Sequence, residues 1–332
     1  MTQKRAEERV TEPEEVPAAV DNLSAVVARI LDQLSVTSWL PAAFMVAGAS
    51  ILLQFHEQRN SDIPRAIDSL TKEPFQVLVI IVPLLVLATM ITQAFSFQAI
   101  RILEGYGLSI GPVSKIQRLM ISRQAVRKNK FQHRLTVKED DAFDAACAQM
   151  ESAGVDNLIV LAIKERRSDG KVKQKLSSEQ MDEVEATDWQ LYAYPEDLAV
   201  IDRLVERLDL YPSDSRIMPT DLGNCLRSFE DQLGDSAGDV EGFVFHARGR
   251  ATARLRMHHD QFRDRLDMYC TLVFVSVGLA FGSLLLLTDP GYSRWEFIST
   301  SVFFILVALI SYRSAIHSAR GYGQVLMLMA EA

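Results

Sequence analysis

The chain has 332 residues, 35 basic and 43 acidic side chains, a net charge of −8 at pH 7 and 48% hydrophobic residues. Averaged in this way it resembles a soluble protein, but the average conceals four apolar runs separated by strongly charged stretches. Read in windows, the composition excludes a soluble enzyme, a collagen-like or disordered chain and a disulfide scaffold, and it points to a mostly α membrane protein with several spans.

In chain order, residues 1–20 are Glu-rich with Pro13 and Pro17 and read as a disordered acidic tail. A signal peptide would instead run from a basic start into an apolar core. Residues 21–35 place Leu23, Val26, Val27, Ile30, Leu31 and Leu34 on one helical face, for a membrane interface, a partner groove or the protein's own extramembrane domain. Span one is expected over 36–55, an outer loop over 56–73 and span two over 74–97. Both spans approach the roughly 20 apolar residues that cross a hydrocarbon core. Pro83 at the centre of span two is expected to kink the helix without ending it. That helix should run on through Gln98 to Glu104, where Gly105-Tyr106-Gly107 ends it.

Charge organises the rest. The juxtamembrane segment 98–138 holds nine basic residues against one acid, Glu104, whereas the domain 139–245 holds 25 acidic and 10 basic residues. A second basic juxtamembrane segment, 246–267, has six Arg against three Asp. Span three follows over 268–287, an outer turn over 288–294, span four over 295–312 and a tail over 313–332. Lys and Arg are retained on the cytoplasmic side, so both ends of the large loop, and with four spans both termini, are expected in the cytoplasm.

Within the loop, Thr136-x-x-Glu139 reads as a capping box opening a helix to about Ser152, closed by Gly154. Residues 158–163 read as a buried strand, and Ser168-Asp169-Gly170 followed by Lys171-Val172-Lys173 as a hairpin. Pro195 opens a helix with Leu198, Ile201, Leu204, Val205 and Leu208 on one face. The expected fold is therefore four transmembrane helices with a small α+β or helical cytoplasmic domain inserted between spans two and three.

The stretch from Tyr211 to Glu230 is composed unlike its surroundings. Its pattern Pro219-Thr220-x-Leu222-Gly223-Asn224-x-Leu226-Arg227-x-x-Glu230 resembles one in a family of uncharacterised bacterial multi-spanning membrane proteins, which carry it in a long cytoplasmic loop between spans two and three. Leu103-Glu104-Gly105-Tyr106 is similar to that family too, while Asp221 stands where a basic residue is expected and Phe245-His246 where a Trp-Pro pair is. The resemblance implies a bacterial inner membrane and no particular activity. Physically, Thr220 is a good N-cap, Asp221 sits in the positive first turn, and Leu222, Leu226, Phe229 and Leu233 form an apolar stripe. Gly223 in a first turn costs about 1 kcal/mol relative to Ala, which argues for close approach of another backbone. Arg227 and Glu230 are spaced for an ion pair, and Asn224, Arg227 and Glu230 are the candidate contacts to a partner or ligand.

Two other groups complete the candidates. Lys115, Arg118, Arg123, Arg127, Lys128 and Lys130 suit anionic lipid headgroups, and Gly278 and Gly282 form a small-xxx-small face for helix packing, echoed by Ala43 and Ala47. No catalytic constellation, cofactor motif or metal-ligand spacing is visible: Cys147, Cys225 and Cys270 are widely spaced, and His258 and His259 diverge on a helix. The expectation is a non-enzymatic, membrane-anchored scaffold or sensor that needs no cofactor. Its partners would be the bilayer and a protein partner or a second copy, with no nucleic acid. A homo-oligomeric pore or channel-like effector is the alternative, and a membrane-bound enzyme a lesser one.

Overall fold

A computed structural model describes residues 36–58, 74–106, 113–172, 176–234, 240–286 and 294–331. The expected tail 1–20, the helix 21–35, most of the loop 56–73 and nearly all of the turn 288–294 lie outside the described residues. Among the described residues there are ten α-helices and no strand. They are α1 (Val36–Gln58), α2 (Pro74–Glu104), α3 (Val113–Ser152), α4 (Asn157–Asp169), α5 (Ser178–Ala186), α6 (Pro195–Leu208), α7 (Asp221–Gln232), α8 (Val240–Arg250), α9 (Ala253–Leu286) and α10 (Arg294–Ala330).

Four of them, α1, α2, α9 and α10, are long and apolar enough to cross a membrane. As expected, α2 passes through Pro83 and runs on to Glu104, and Gly105 ends it with φ 104°, a conformation that only glycine adopts without strain. By contrast, α9 starts well before residue 268, and α10 continues as helix to Ala330, so most of the expected tail is helical.

The chain divides into two compact units. The first comprises the residues up to Ile100 together with Asp260–Ser318. Leu52 and Phe55 of α1 pack with Val275, Leu279 and Ala280 of α9 and Phe304 of α10. The approach is close at Gly48, where a Cβ would lie 2.5 Å from Leu279 Cδ1 and that side chain would have to shift. Ser283 of α9 and Ser301 of α10, both buried, share a 2.7 Å hydrogen bond, a cross-helix contact that satisfies two hydroxyls in an apolar setting. Half of the apolar stretch of α9 is buried, a larger share than in the other three long helices. Met90, Phe281, Leu285 and Ile310 are exposed, the outward apolar surface that a bilayer requires.

The second unit comprises Arg101–His259 with Ala319–Ala332. Its core joins Phe143, Cys147 and Met150 of α3 to Ile159, Val160, Ala162 and Ile163 of α4 and Val184 of α5, with Trp189 against Phe143. Three local expectations are corrected here. Helix α3 runs unbroken for 40 residues, and the Thr136 hydroxyl donates back to the Gln132 carbonyl at 3.2 Å, so no helix begins at Thr136. Neither Gly nor Pro occurs between Val113 and Ser152 to interrupt it, and Gly154 closes the segment as expected.

The run 158–163 is the first half of α4, not a strand. Asp156 caps it by accepting from the Leu158 N–H, and Ile159, Val160, Ala162 and Ile163 are buried while Leu158 and Leu161 are exposed, which is helical spacing. Gly170, expected in a hairpin, is the left-handed residue that terminates this helix, its N–H donating to the Arg166 carbonyl.

Candidate functional site

The segment between α6 and α7 has little regular structure and is nevertheless largely buried at Pro212, Ile217, Met218 and Pro219. Its polar groups are satisfied locally. Asn224 is 1% exposed, and its amide closes the loop on itself: Oδ1 accepts from the Met218 N–H at 2.7 Å and Nδ2 donates to the Met218 carbonyl at 3.1 Å. Thr220 caps α7 as expected, accepting from the Gly223 N–H at 3.0 Å. The same hydroxyl donates to the Glu104 carbonyl, 3.0 Å away at the end of α2. A carbonyl in the last turn of a helix lacks an intrahelical partner, and here a residue 116 positions later in the chain supplies one.

Gly223 makes that approach possible. A Cβ at Gly223 would overlap the Glu104 carbonyl oxygen and lie 2.9 Å from Met218 Cβ, so the backbone approach inferred from the sequence is real and its partner is the end of α2. Pro219 in turn packs against Gly105 so closely that a side chain there would collide with it. Further along α7, the Phe229 ring occupies the space that a side chain at Gly323 of α10 would need. The motif helix is thus seated on the ends of two apolar helices.

Charged groups fix its orientation. Asp221 accepts from Gln124 Nε2 at 2.8 Å and pairs with Arg127 at 3.1 Å, both on α3. The Tyr211 hydroxyl donates to Gln124 Oε1 at 3.1 Å. Lys128 donates to the Pro212 carbonyl at 2.8 Å and to Asp214 at 2.6 Å. Glu230 pairs principally with Arg216 at 2.8 Å; its contact with Arg227 is longer, 3.6 Å. Arg227 also donates to the Tyr106 hydroxyl and stacks over its ring. Asp231 accepts from the Ser213 N–H at 2.8 Å and pairs with Arg216. Burial alone would raise the Asp231 carboxyl, but the Ser213 donors and the Arg216 guanidinium outweigh it and hold the carboxyl below its ordinary value. Burial pushes the Cys225 thiol up to about 12, so it is protonated at neutral pH and a poor nucleophile.

Of the candidate contacts, Asn224 is enclosed and structural, while Arg227 and Glu230 are partly exposed and belong to one charged cluster. Of the basic candidates, Lys128 is 8% exposed and points into the motif, and Arg127 pairs with Asp221; Lys115, Arg118, Arg123 and Lys130 are exposed. A Cβ at Gly278 would meet no described residue within 4 Å, so this glycine faces outward, and one at Gly282 would only graze Leu52 at 3.9 Å. The close helix contact of this unit is made at Gly48 instead. Among the described residues no group of three or more His, Cys, Asp or Glu side chains could hold a metal ion. The first unit contains a polar cavity of about 80 Å³ lined by Thr37, Thr92, Gln93, Ser96, Asp264 and Asp267, room for two or three waters.

Sequence reasoning missed Gln124, Arg216 and Gly323 and gave Lys128 a lipid contact in place of its bonds to Pro212 and Asp214, because these roles depend on neighbours distant in the chain. Only Gly105-Tyr106 carried a local signal, as a helix stop. Comparison of the chain with protein families, curated proteins and solved structures returned no match.

Proposed function

We propose that this is an integral membrane protein acting as a non-enzymatic, membrane-anchored scaffold or sensor through its helical extramembrane unit, which faces the cytoplasm. The observation that carries this reading is the seating of α7 on Glu104 of α2 and Gly323 of α10. A unit that only needed tethering could hang from a flexible linker. Here the motif's glycine, its cap and its aromatic residue engage the ends of apolar helices, an arrangement suited to passing a displacement between membrane helices and a partner-binding surface.

The test is purification of the full-length protein and of Gly223→Val from native membranes in mild detergent, with the mass of the intact complex measured for both. The reading expects a stoichiometric second protein with the wild type and its loss from the variant, both chains remaining membrane-inserted. A homo-oligomer without a partner that conducts ions in a reconstituted bilayer would refute it. That outcome would favour the second reading, a homo-oligomeric pore, for which the outward-facing Gly278 is the supporting feature. Because no described residue touches that position, Gly278→Leu should leave the fold intact and dissociate such an oligomer.

A further inference from the structure

The first half of α3 is clothed on one side only. Gln124, Lys128 and Phe131 face the motif, whereas Ile116, Leu119 and Val126 are 54%, 59% and 68% exposed. At 100° per residue these three fall within about 80° of one another around the helix. Arg123 and Lys130 lie within the same sector, Lys115 lies about 20° outside it and Arg118 about 80° outside, within reach only through its long side chain, and all four are exposed. Residues 113–138 contain no Asp or Glu. The exposed sector is therefore apolar and cationic at once, the composition of a helix that lies in a membrane interface.

Its location supports an anionic bilayer surface as the occupant. Gln124 is bonded to Asp221, whose neighbour Thr220 is bonded to the Glu104 carbonyl, so the middle of this half of α3 lies one short network from the end of α2. The apolar run of α2 extends to Phe97, and at 1.5 Å per residue Glu104 is about 10 Å beyond it, the depth of the headgroup region.

We propose that the sector centred on Leu119 lies on the anionic surface of the bilayer. Ile116, Leu119 and Val126 enter the boundary between headgroups and acyl chains, and Lys115, Arg118, Arg123 and Lys130 engage lipid phosphates and carboxylates. Arg127 and Lys128 take no part, being held by Asp221, Pro212 and Asp214. The inference rests on the membrane insertion proposed above but not on the partner reading, so either can fail without the other.

The test uses the full chain reconstituted in vesicles. Ser122 is exposed at the edge of the sector and the three natural cysteines are buried, so Ser122→Cys takes a nitroxide label selectively. In phosphatidylserine-rich vesicles at low salt the label should be shielded from a water-soluble paramagnetic relaxant and accessible to oxygen. In phosphatidylcholine vesicles, or at high salt, it should become water-accessible. Each cation contributes about fivefold to the docked population, so replacing Lys115, Arg118, Arg123 and Lys130 by Gln should expose the label even in anionic vesicles. Equal water exposure in both lipids overturns the proposal. Shielding that is indifferent to lipid charge, salt and the four substitutions also overturns it, because a protein surface would then be the cover. The salt titration needs no substitution within the sector beyond the label site and reads the same quantity if the quadruple variant does not fold.

Discussion

Replacing Gly223 by Ala adds a single methyl group to a helix, a change that normally helps. In an open helical site it stabilises by about 1 kcal/mol, because glycine loses more backbone freedom on folding. At Gly223 the added carbon meets the Glu104 carbonyl oxygen, with Met218 Cβ 2.9 Å and Thr220 Oγ1 3.0 Å away. A backbone oxygen cannot swing aside as a side-chain tip can, so α7 must move away from the end of α2. Overpacking of this kind costs about 1–3 kcal/mol, and losing the Thr220 to Glu104 hydrogen bond adds about 1 kcal/mol. After the propensity gain, the net loss is about 1–3 kcal/mol, or a fall in Tm of roughly 3–10 °C for a unit of this size. Gly249 in α8 is the internal control, since no described residue lies within 4 Å of a Cβ there. Gly249→Ala should raise stability by up to about 1 kcal/mol. Thermal unfolding of both full-length variants in detergent, followed by far-UV circular dichroism, separates the two signs. If Gly223→Ala melted at or above the wild-type temperature, the seating of α7 on Glu104 would be wrong.

Further expectations follow from the same contacts. Lys128→Met should lose about 1.5–3 kcal/mol in chemical denaturation by leaving the buried Pro212 carbonyl unanswered, while Lys130→Gln, two positions away on the exposed face, should stay within about 0.5 kcal/mol of wild type. Asp231 has a folded pKa below its unfolded one, so its contribution to stability is complete above about pH 4 and is lost as pH falls through the folded value. An acid titration of stability should accordingly be shallower below pH 4, by about one group, in Asp231→Asn. Cys147, Cys225 and Cys270 are all buried, and Cys225 is protonated as well, so a thiol-reactive maleimide at neutral pH should modify none of them in the native protein and all three in denaturant, counted by intact mass.

The sequence was most informative where local rules decide the structure. Thr220 followed by an acid and an apolar stripe is a helix start whatever surrounds it, and a glycine in a first turn has few explanations besides close approach. The spans were equally legible as uncharged runs, as was the extension of α2 to Glu104, although the polar extensions of α9 and α10 were not: α10 carries Arg313, His317 and Arg320 on a helix that does not stop where its apolar stretch does. The misread strand shows a different limit. Leu-Ile-Val-Leu-Ala-Ile is apolar throughout, so neither a period of 2 nor one of 3.6 stands out, and β-branched residues tip the reading toward a strand. What fixes the helix is the pair of termini, Asp156 and Gly170, together with burial against α3. Similarly, a Lys among six basic residues gives no sign that it alone turns inward; Lys128 is singled out by a carbonyl 84 residues away.

The hydrogen bond from Thr220 to Glu104 bears on the order in which the molecule is made. When α2 leaves the ribosome, the group that will answer its Glu104 carbonyl lies more than a hundred residues downstream, and the surface that receives Phe229 is on α10, further still. The core of the second unit can form from α3, α4 and α5 as they are synthesised, but its packing is complete only once the end of α10 has been made. If the apolar helices insert as proposed, insertion of the last one is a step in the folding of the second unit, and a chain that stalls before it would carry a motif with only one of its two seats, the end of α2.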